Sequence, residues 1–272
     1  MFDSEFCKNK ARESLHQRFW GAVGTVFLFG LLGGIPRYLI NTITGYMSGT
    51  ETPKIEDLEA LKEYLIWFYS RPETLLGLVL TFIATFLFIY PMTAGLNRYF
   101  LSLVRVDYAT VGDLFSRFSD GYGKSVSVMF LLYIKKCLWS LLLIVPGIIK
   151  TYEYMIIPYI LAFNPHLSHK RYFEIAHDAM KGFKFKLFCL QLSFIGWWLL
   201  AILVSVVTCG IGAIGIIFLM PYIYASYAAF FDTVMKYAVN NGIATPEELG
   251  LSAYPSQDVT GGGDKVFSWQ EE

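Results

Sequence analysis

The chain has 272 residues, 55% hydrophobic and only 16% charged, and its 22 Lys+Arg balance 22 Asp+Glu to a formal net charge of zero. The charged share falls below the usual ~25%, and the mean hydropathy is +0.47. A soluble domain of this length needs more polar surface, so composition excludes one and leaves an integral membrane protein.

Residues 1–18 form a mostly polar arm with Lys8, Lys10, Arg12 and Arg18. The apolar run after it is long enough to span and ends in no A-x-A-like site, so the arm does not read as a cleavable signal. No lipidation motif is present. A helical crossing takes about 20 apolar residues, and the runs at about 19–40 and 74–96 meet that length. Between them, loop 41–73 sets three basic residues, Lys54, Lys62 and Arg71, against six acids, Glu51, Glu56, Asp57, Glu59, Glu63 and Glu73. Within it Ile55, Leu58, Leu61, Leu65 and Phe68 repeat at helical spacing, which predicts an amphipathic helix on the membrane or capping the bundle.

Segment 97–124 is basic again, with Arg98, Arg105, Arg117 and Lys124. The run 125–163 then poses a problem of length. As one helix its 39 residues extend about 58 Å at ~1.5 Å each, against a hydrocarbon core of ~30 Å. Two crossings, 125–145 and 148–163, fit better, with a turn at Pro146-Gly147, since proline suits the first turn of a helix. Lys135-Lys136 is the competing turn.

Segment 164–186 carries Lys170, Arg171, Lys181, Lys184 and Lys186. There Ser168 predicts a helix cap, with Tyr172, Ile175, Ala179 and Phe183 on one face. Runs 187–208 and 211–235 are the last crossings. The polar tail, 241–272, is expected to be disordered after a helix start at Thr245-Pro246-Glu247-Glu248.

The positive-inside rule places the arm, 97–124 and 164–186 in the cytoplasm and loop 41–73 outside. The run between the second and third of these basic segments therefore crosses an even number of times, as a full hairpin or a re-entrant loop. The expected fold is all-α: a polytopic transmembrane helical bundle of about six spans, within 19–240, with short amphipathic interfacial helices and both termini cytoplasmic. Three proline-aromatic stretches, YPMTAGLNRYF, VPGIIKTYEYM and MPYIYASYAAF, form a weak repeat that suggests three helical hairpins.

Few motifs carry chemistry. GIGAIG at 210–215 fits a dinucleotide pattern only literally, because its flanks are apolar spans and no strand precedes it. Gly30 and Gly34 form a GxxxG that favours close helix packing, within the chain or in a dimer. His166, His169 and His177 cluster without a completed metal-ligand pattern, so no metal or cofactor is expected. Cys7, Cys137, Cys189 and Cys209 show neither a CxxC pair nor a disulfide framework. GxSxG, Walker A and kinase signatures are absent.

What stands out is Lys150 and Glu153 inside VPGIIKTYEYMIIP, spaced to pair on one helical face. Just after the turn they are expected near the external surface. Two readings stand open: a partly solvated pair worth ~0–1 kcal/mol, or a polar site with Tyr152 and Tyr154 that contacts a substrate.

The blocks LWSLLLIVPGIIKTYEYMIIPYILAFNPHLS, MKG, LFCLQLSFIGWWLL and MPYIYASYAAFF, in this order, and the opening ARESLHQRFWGAV, resemble the DUF975 family of bacterial integral membrane proteins. That family has a Trp after MKG where this chain has Phe183 or Phe185. The resemblance implies a multi-span bacterial membrane protein and no established reaction. The membrane part is also distantly similar to domains attached to some glycerophosphodiester phosphodiesterases, which implies no phosphodiesterase activity here.

The expected function is non-enzymatic transport or handling of a small or lipid-like solute in the cytoplasmic membrane. An accessory or scaffold protein binding another membrane protein is the alternative, and a membrane-embedded lipid-active enzyme the third. Expected partners are the bilayer, anionic inner-leaflet lipids through Lys170, Arg171, Lys181, Lys184 and Lys186, and a membrane-protein partner or second copy; nucleic acid is not expected.

Overall fold

A computed structural model describes residues 4–48, 57–208 and 214–252, and among these all regular structure is helical. GIGAIG lies mostly outside the described residues, as does the tail beyond 252. In chain order the helices are α1 (Ser4–Leu15), α2 (Phe19–Ser48), α3 (Leu58–Tyr69), α4 (Pro72–Ala84) and α5 (Tyr90–Val106). There follow α6 (Ser116–Ser119), α7 (Tyr122–Leu142), α8 (Ile144–Tyr154), α9 (Ile157–Phe163) and α10 (His169–Ala179), then α11 (Lys184–Leu192), α12 (Ile195–Val207) and α13 (Ile214–Asn240). By length and composition five helical stretches among the described residues suit a membrane crossing: Phe19–Ile43, Pro72–Val106, Tyr122–Leu142, Lys184–Val207 and Gly215–Asn240.

The run expected to supply a sixth crossing, 148–163, is not one helix. It breaks at Met155-Ile156 into α8 and α9. Pro158 explains the break, because it has no N–H for the carbonyl four residues back and its ring crowds that carbonyl. Pro91 has a related effect between α4 and α5, where Thr85–Ile89 widens into a π-helical turn. The Leu87 carbonyl that Pro91 leaves without its helical donor accepts from the Tyr122 hydroxyl at 2.9 Å, so a helix irregularity and the start of α7 are one feature.

The molecule has two kinds of region. In one, α1, α5, α9, α10 and the C-terminal half of α13 enclose a core with Leu96, Phe100, Ile157, Ile160, Tyr172 and Phe231 almost fully buried. Each such side chain contributes roughly 1.5–3 kcal/mol relative to exposure. The amphipathic face expected for α10 is part of this core: Tyr172, Ile175, Ala179 and Phe183 are all buried, and the Ser168 side chain caps the helix by accepting from Arg171 N. In the other region α2, α4, the tip of the α7–α8 hairpin and α12 turn apolar side chains outward. None of the residues of α12 is buried, and at the hairpin tip Leu141 is 86% and Ile144 77% exposed. Outward apolar side chains on this scale suit lipid and not water. On α3, capped by Asp57, Leu58 and Leu65 are exposed as well.

Two expectations require revision. Gly30 and Gly34 do not bring helices together within the chain, since a Cβ on either meets nothing within 4 Å among the described residues. Their neighbour Gly33 faces Ile89 at 3.9 Å instead. The start of the tail also packs. Ala244 and Leu249 are buried, and Gly250, at φ +62°, lies so close that a Cβ would sit 2.3 Å from the Phe163 Cβ.

Candidate functional site

The α7–α8 hairpin turns at Leu143, whose extended backbone (φ −158°, ψ 140°) separates two helices. Pro146 falls in the first turn of α8, and Gly147 lies against α7, where a Cβ would meet Ser140 Cα at 2.7 Å. Both residues thus shape the hairpin, though the reversal itself precedes them.

Ten residues beyond Leu143, Glu153 is 1% exposed at its side chain and surrounded by cations. Lys150 Nζ donates to Oε1 at 2.6 Å, Lys184 Nζ donates to Oε2, and His177 Nδ1 lies 3.2 Å from Oε1. A carboxylate without a proton only accepts, so the facing His nitrogen carries the proton. Lys135 Nζ stands 3.6 Å from the centroid of Phe173 on α10, and Lys150 faces the rings of Trp139 and Tyr154.

This geometry corrects the expected location. Lys150 and Glu153 are tied to His177 and Lys184 of segment 164–186, so they lie on that segment's side and not across the membrane from it. The reason is the length of α8: ten residues separate Leu143 from Glu153, a rise of about 15 Å. Glu153 is also no snorkelling surface acid. A buried charge costs several kcal/mol unless it is paired and hydrogen-bonded, and three groups from α8, α10 and α11 meet that need.

Tyr152 and Tyr154 do not join Glu153 in one pocket. Tyr154 is buried edge-on against Phe173. Tyr152 points the other way and donates to Gln191 Oε1 at 2.8 Å, on the wall of a groove of about 360 Å³. Ser140, Ile144, Gly147, Ile148, Thr151 and Met155 line the rest of it. The four candidate residues therefore divide between an ion-paired lock and an open, mainly apolar groove.

A second lock is buried between α1, α5 and α13. Asp232, fully buried, receives Arg105 Nε at 2.8 Å, Lys236 Nζ at 2.8 Å and Lys10 Nζ at 3.2 Å. Arg105 also donates to the Gly250 carbonyl at 3.1 Å, binding the segment after α13 into the same knot. The sequence marks Asp232 as a rare acid in an apolar run, but Arg105, 127 residues away, gives no local signal.

The cations of 164–186 find partners within the chain. Arg171 holds Glu248 through two nitrogens, at 2.7 and 2.9 Å, and its hydrogen bonds keep the Glu248 carboxyl below its ordinary pKa. Lys181 pairs with Asp178 at 2.8 Å and Lys170 with Glu174 at 3.3 Å, while Lys186 lies over the Phe183 ring. The three histidines separate. His166 approaches Asp120 at 3.7 Å, His177 reaches Glu153, and His169 sits between Lys124 and Ser127. Burial and the Lys124 charge hold the His169 pKa below its ordinary value.

No curated protein and no solved structure matches the chain. The model of a family described as DUF975, protein of unknown function, matches residues 141–238. That stretch runs from the hairpin tip through the Glu153 lock to the helix bearing Asp232, and over it the chain is similar to the DUF975 family.

Proposed function

We propose that the protein sits in a bacterial cytoplasmic membrane with both termini inside, and that it transports or handles a lipid-like or small solute without reacting it. The observation that carries this reading is the groove beside α8. It is apolar for most of its length, and the Tyr152–Gln191 pair supplies a polar contact on one wall.

Depth supports the same reading. From the level where Lys184 meets Glu153, the 24-residue stretch Lys184–Val207 rises about 36 Å, enough for a ~30 Å core. The α7–α8 hairpin rises only about 15 Å from that level. Although Tyr122–Leu142 is long enough to cross, its first half is buried in the protein at Ser125, Val128, Met129 and Leu132, so the tip enters one leaflet and returns, a re-entrant loop in place of two crossings. Its groove opens at acyl-chain depth, where a lipid-like solute resides. The ion pairs of Glu153 are satisfied by its neighbours and suit an anchor for the loop better than a reaction centre.

A second reading, an accessory protein that binds another membrane protein, draws on α12, none of whose residues is buried. The test is a comparison of lipid and solute contents in membranes with the wild type, without the protein, and with Ile148→Trp, which fills the groove. The wild type is expected to change the abundance of one lipid or solute class, and Ile148→Trp to abolish that change at unaltered protein level. Identical contents in all three overturn the handling reading and favour the accessory one.

A further inference from the structure

Where α1 passes into α2, two cavities of about 480 Å³ each adjoin, and both include Arg12 and His16. One is lined by polar and charged residues, Glu13, Arg18 and Asp107 among them. The other is apolar, lined by Leu15, Phe19, Trp197, Phe218, Leu219 and Tyr222. Together they form a cleft with a charged end and a greasy end, at the point where a polar helix gives way to an apolar one.

The charges at the polar end are unmatched. Among the described residues no ion pair joins Arg12, Glu13, Arg18 or Asp107 to any partner, in contrast to Lys10, one turn away, which is committed to Asp232. Arg12 instead stacks over Tyr222, with 5.7 Å from guanidinium to ring centroid, and Arg18 over Tyr108 at 5.6 Å. Both leave their N–H groups for an outside acceptor. Trp20, 75% exposed, meets Phe218 edge-on beside the apolar end, and Trp197 is half exposed in its wall. Tryptophans in such positions are those that settle at headgroup depth.

We propose that this cleft binds a bilayer phospholipid whose head carries both a phosphate and a primary ammonium. The phosphate meets Arg12 and Arg18, the ammonium meets Glu13 and Asp107, and an acyl chain lies along Phe19, Phe218 and Tyr222. Two guanidiniums and two carboxylates are what a zwitterionic head needs. A head with only negative charge would face the two acids, and a quaternary ammonium has no hydrogen to donate to them. The cleft shares no residue with the groove beside α8, so this inference stands independently of the proposed function.

Native mass spectrometry of the full chain in detergent tests it, with phosphatidylethanolamine, phosphatidylglycerol and phosphatidylcholine of identical acyl chains added in equal amounts. The wild type is expected to retain the ethanolamine lipid in preference to both others. Arg12→Gln with Arg18→Gln is expected to lower its retention about tenfold, the loss of charge-assisted hydrogen bonds worth ~1.4 kcal/mol. Glu13→Gln with Asp107→Asn is expected to keep phospholipid binding but lose the preference over phosphatidylglycerol. Lys170→Gln with Lys181→Gln, and Ile148→Trp in the other groove, are expected to bind as the wild type does. All seven altered positions are exposed, and an unchanged unfolding midpoint verifies the fold of each variant. Equal retention of the three lipids by the wild type, or undiminished retention by the arginine variant, overturns the proposal and leaves these residues as solvated surface charges.

Discussion

The body formed by α1, α5, α9, α10 and the end of α13 differs in kind from the shell formed by α2, α4, the hairpin tip and α12. In the body, side chains are buried against one another, and the two buried acids among the described residues, Asp232 within it and Glu153 where α8 meets α10 and α11, each hold several cations. In the shell, large apolar side chains face outward and α12 buries nothing. A membrane solvates the shell, so its helices need little packing to be stable, whereas the body must supply its own contacts and satisfy its own polar groups. Specific geometry therefore concentrates in the body, and the shell keeps grooves that solvent-like molecules can enter.

That contrast is open to attack by substitution. Asp232→Ala is expected to have the largest effect. It leaves Arg105, 3% exposed at its side chain, as an unpaired buried charge, at a cost of roughly 3–5 kcal/mol seen as a loss of thermal stability in detergent. Gly147→Ala places a Cβ 2.7 Å from the Ser140 backbone, and overpacking of that kind costs about 1–3 kcal/mol, read in the same assay. Glu153→Gln removes the acid from Lys150 and Lys184, which are 22% and 26% exposed and can turn to water. A loss of about 1–2 kcal/mol is expected, below that of Asp232→Ala.

A smaller effect depends on pH. Because Arg171 depresses the pKa of Glu248 in the folded state, the pair stabilises above the unfolded carboxylate pKa. That contribution is lost as pH falls through the folded value. Limited proteolysis between α13 and residue 252 should accelerate on acidification from about pH 5 to pH 3, and Arg171→Gln should remove this dependence. Least of all, Leu203→Ala in α12, where Leu203 is 61% exposed, should shift stability by no more than about 0.5 kcal/mol. A large loss there would show that α12 is packed and would erase the contrast.

How far the sequence discloses this arrangement follows the same division. The shell is legible because its rule is compositional: runs of apolar residues show directly in α2, α4 and α12. The amphipathic α10 and its Ser168 cap are also legible, since cap and face are local in sequence. Pro158 is a break signal, but the length of the run 125–163 masks it and suggests two crossings. The Lys150–Glu153 pairing follows from spacing alone, while its location does not, because His177 and Lys184 come from elements folded back from 24 and 31 residues away. The Asp232–Arg105 lock and the Arg171–Glu248 clasp depend on tertiary proximity across 127 and 77 residues, which no local pattern records. Gly30 and Gly34 teach the converse, a close-packing motif against which no other helix comes close among the described residues.

The depth of Leu143 tests the central claim most directly. In a chain freed of its own cysteines, a fluorophore attached at Leu143→Cys is quenched by nitroxides placed at known depths in the bilayer, with Asp57→Cys and Lys170→Cys marking the two surfaces. A hairpin anchored by Glu153 at the level of α11 is expected to place position 143 near the bilayer centre, shielded from impermeant quenchers on either side. Quenching from the side of position 57, as strong as at position 57 itself, would contradict it and restore two full crossings.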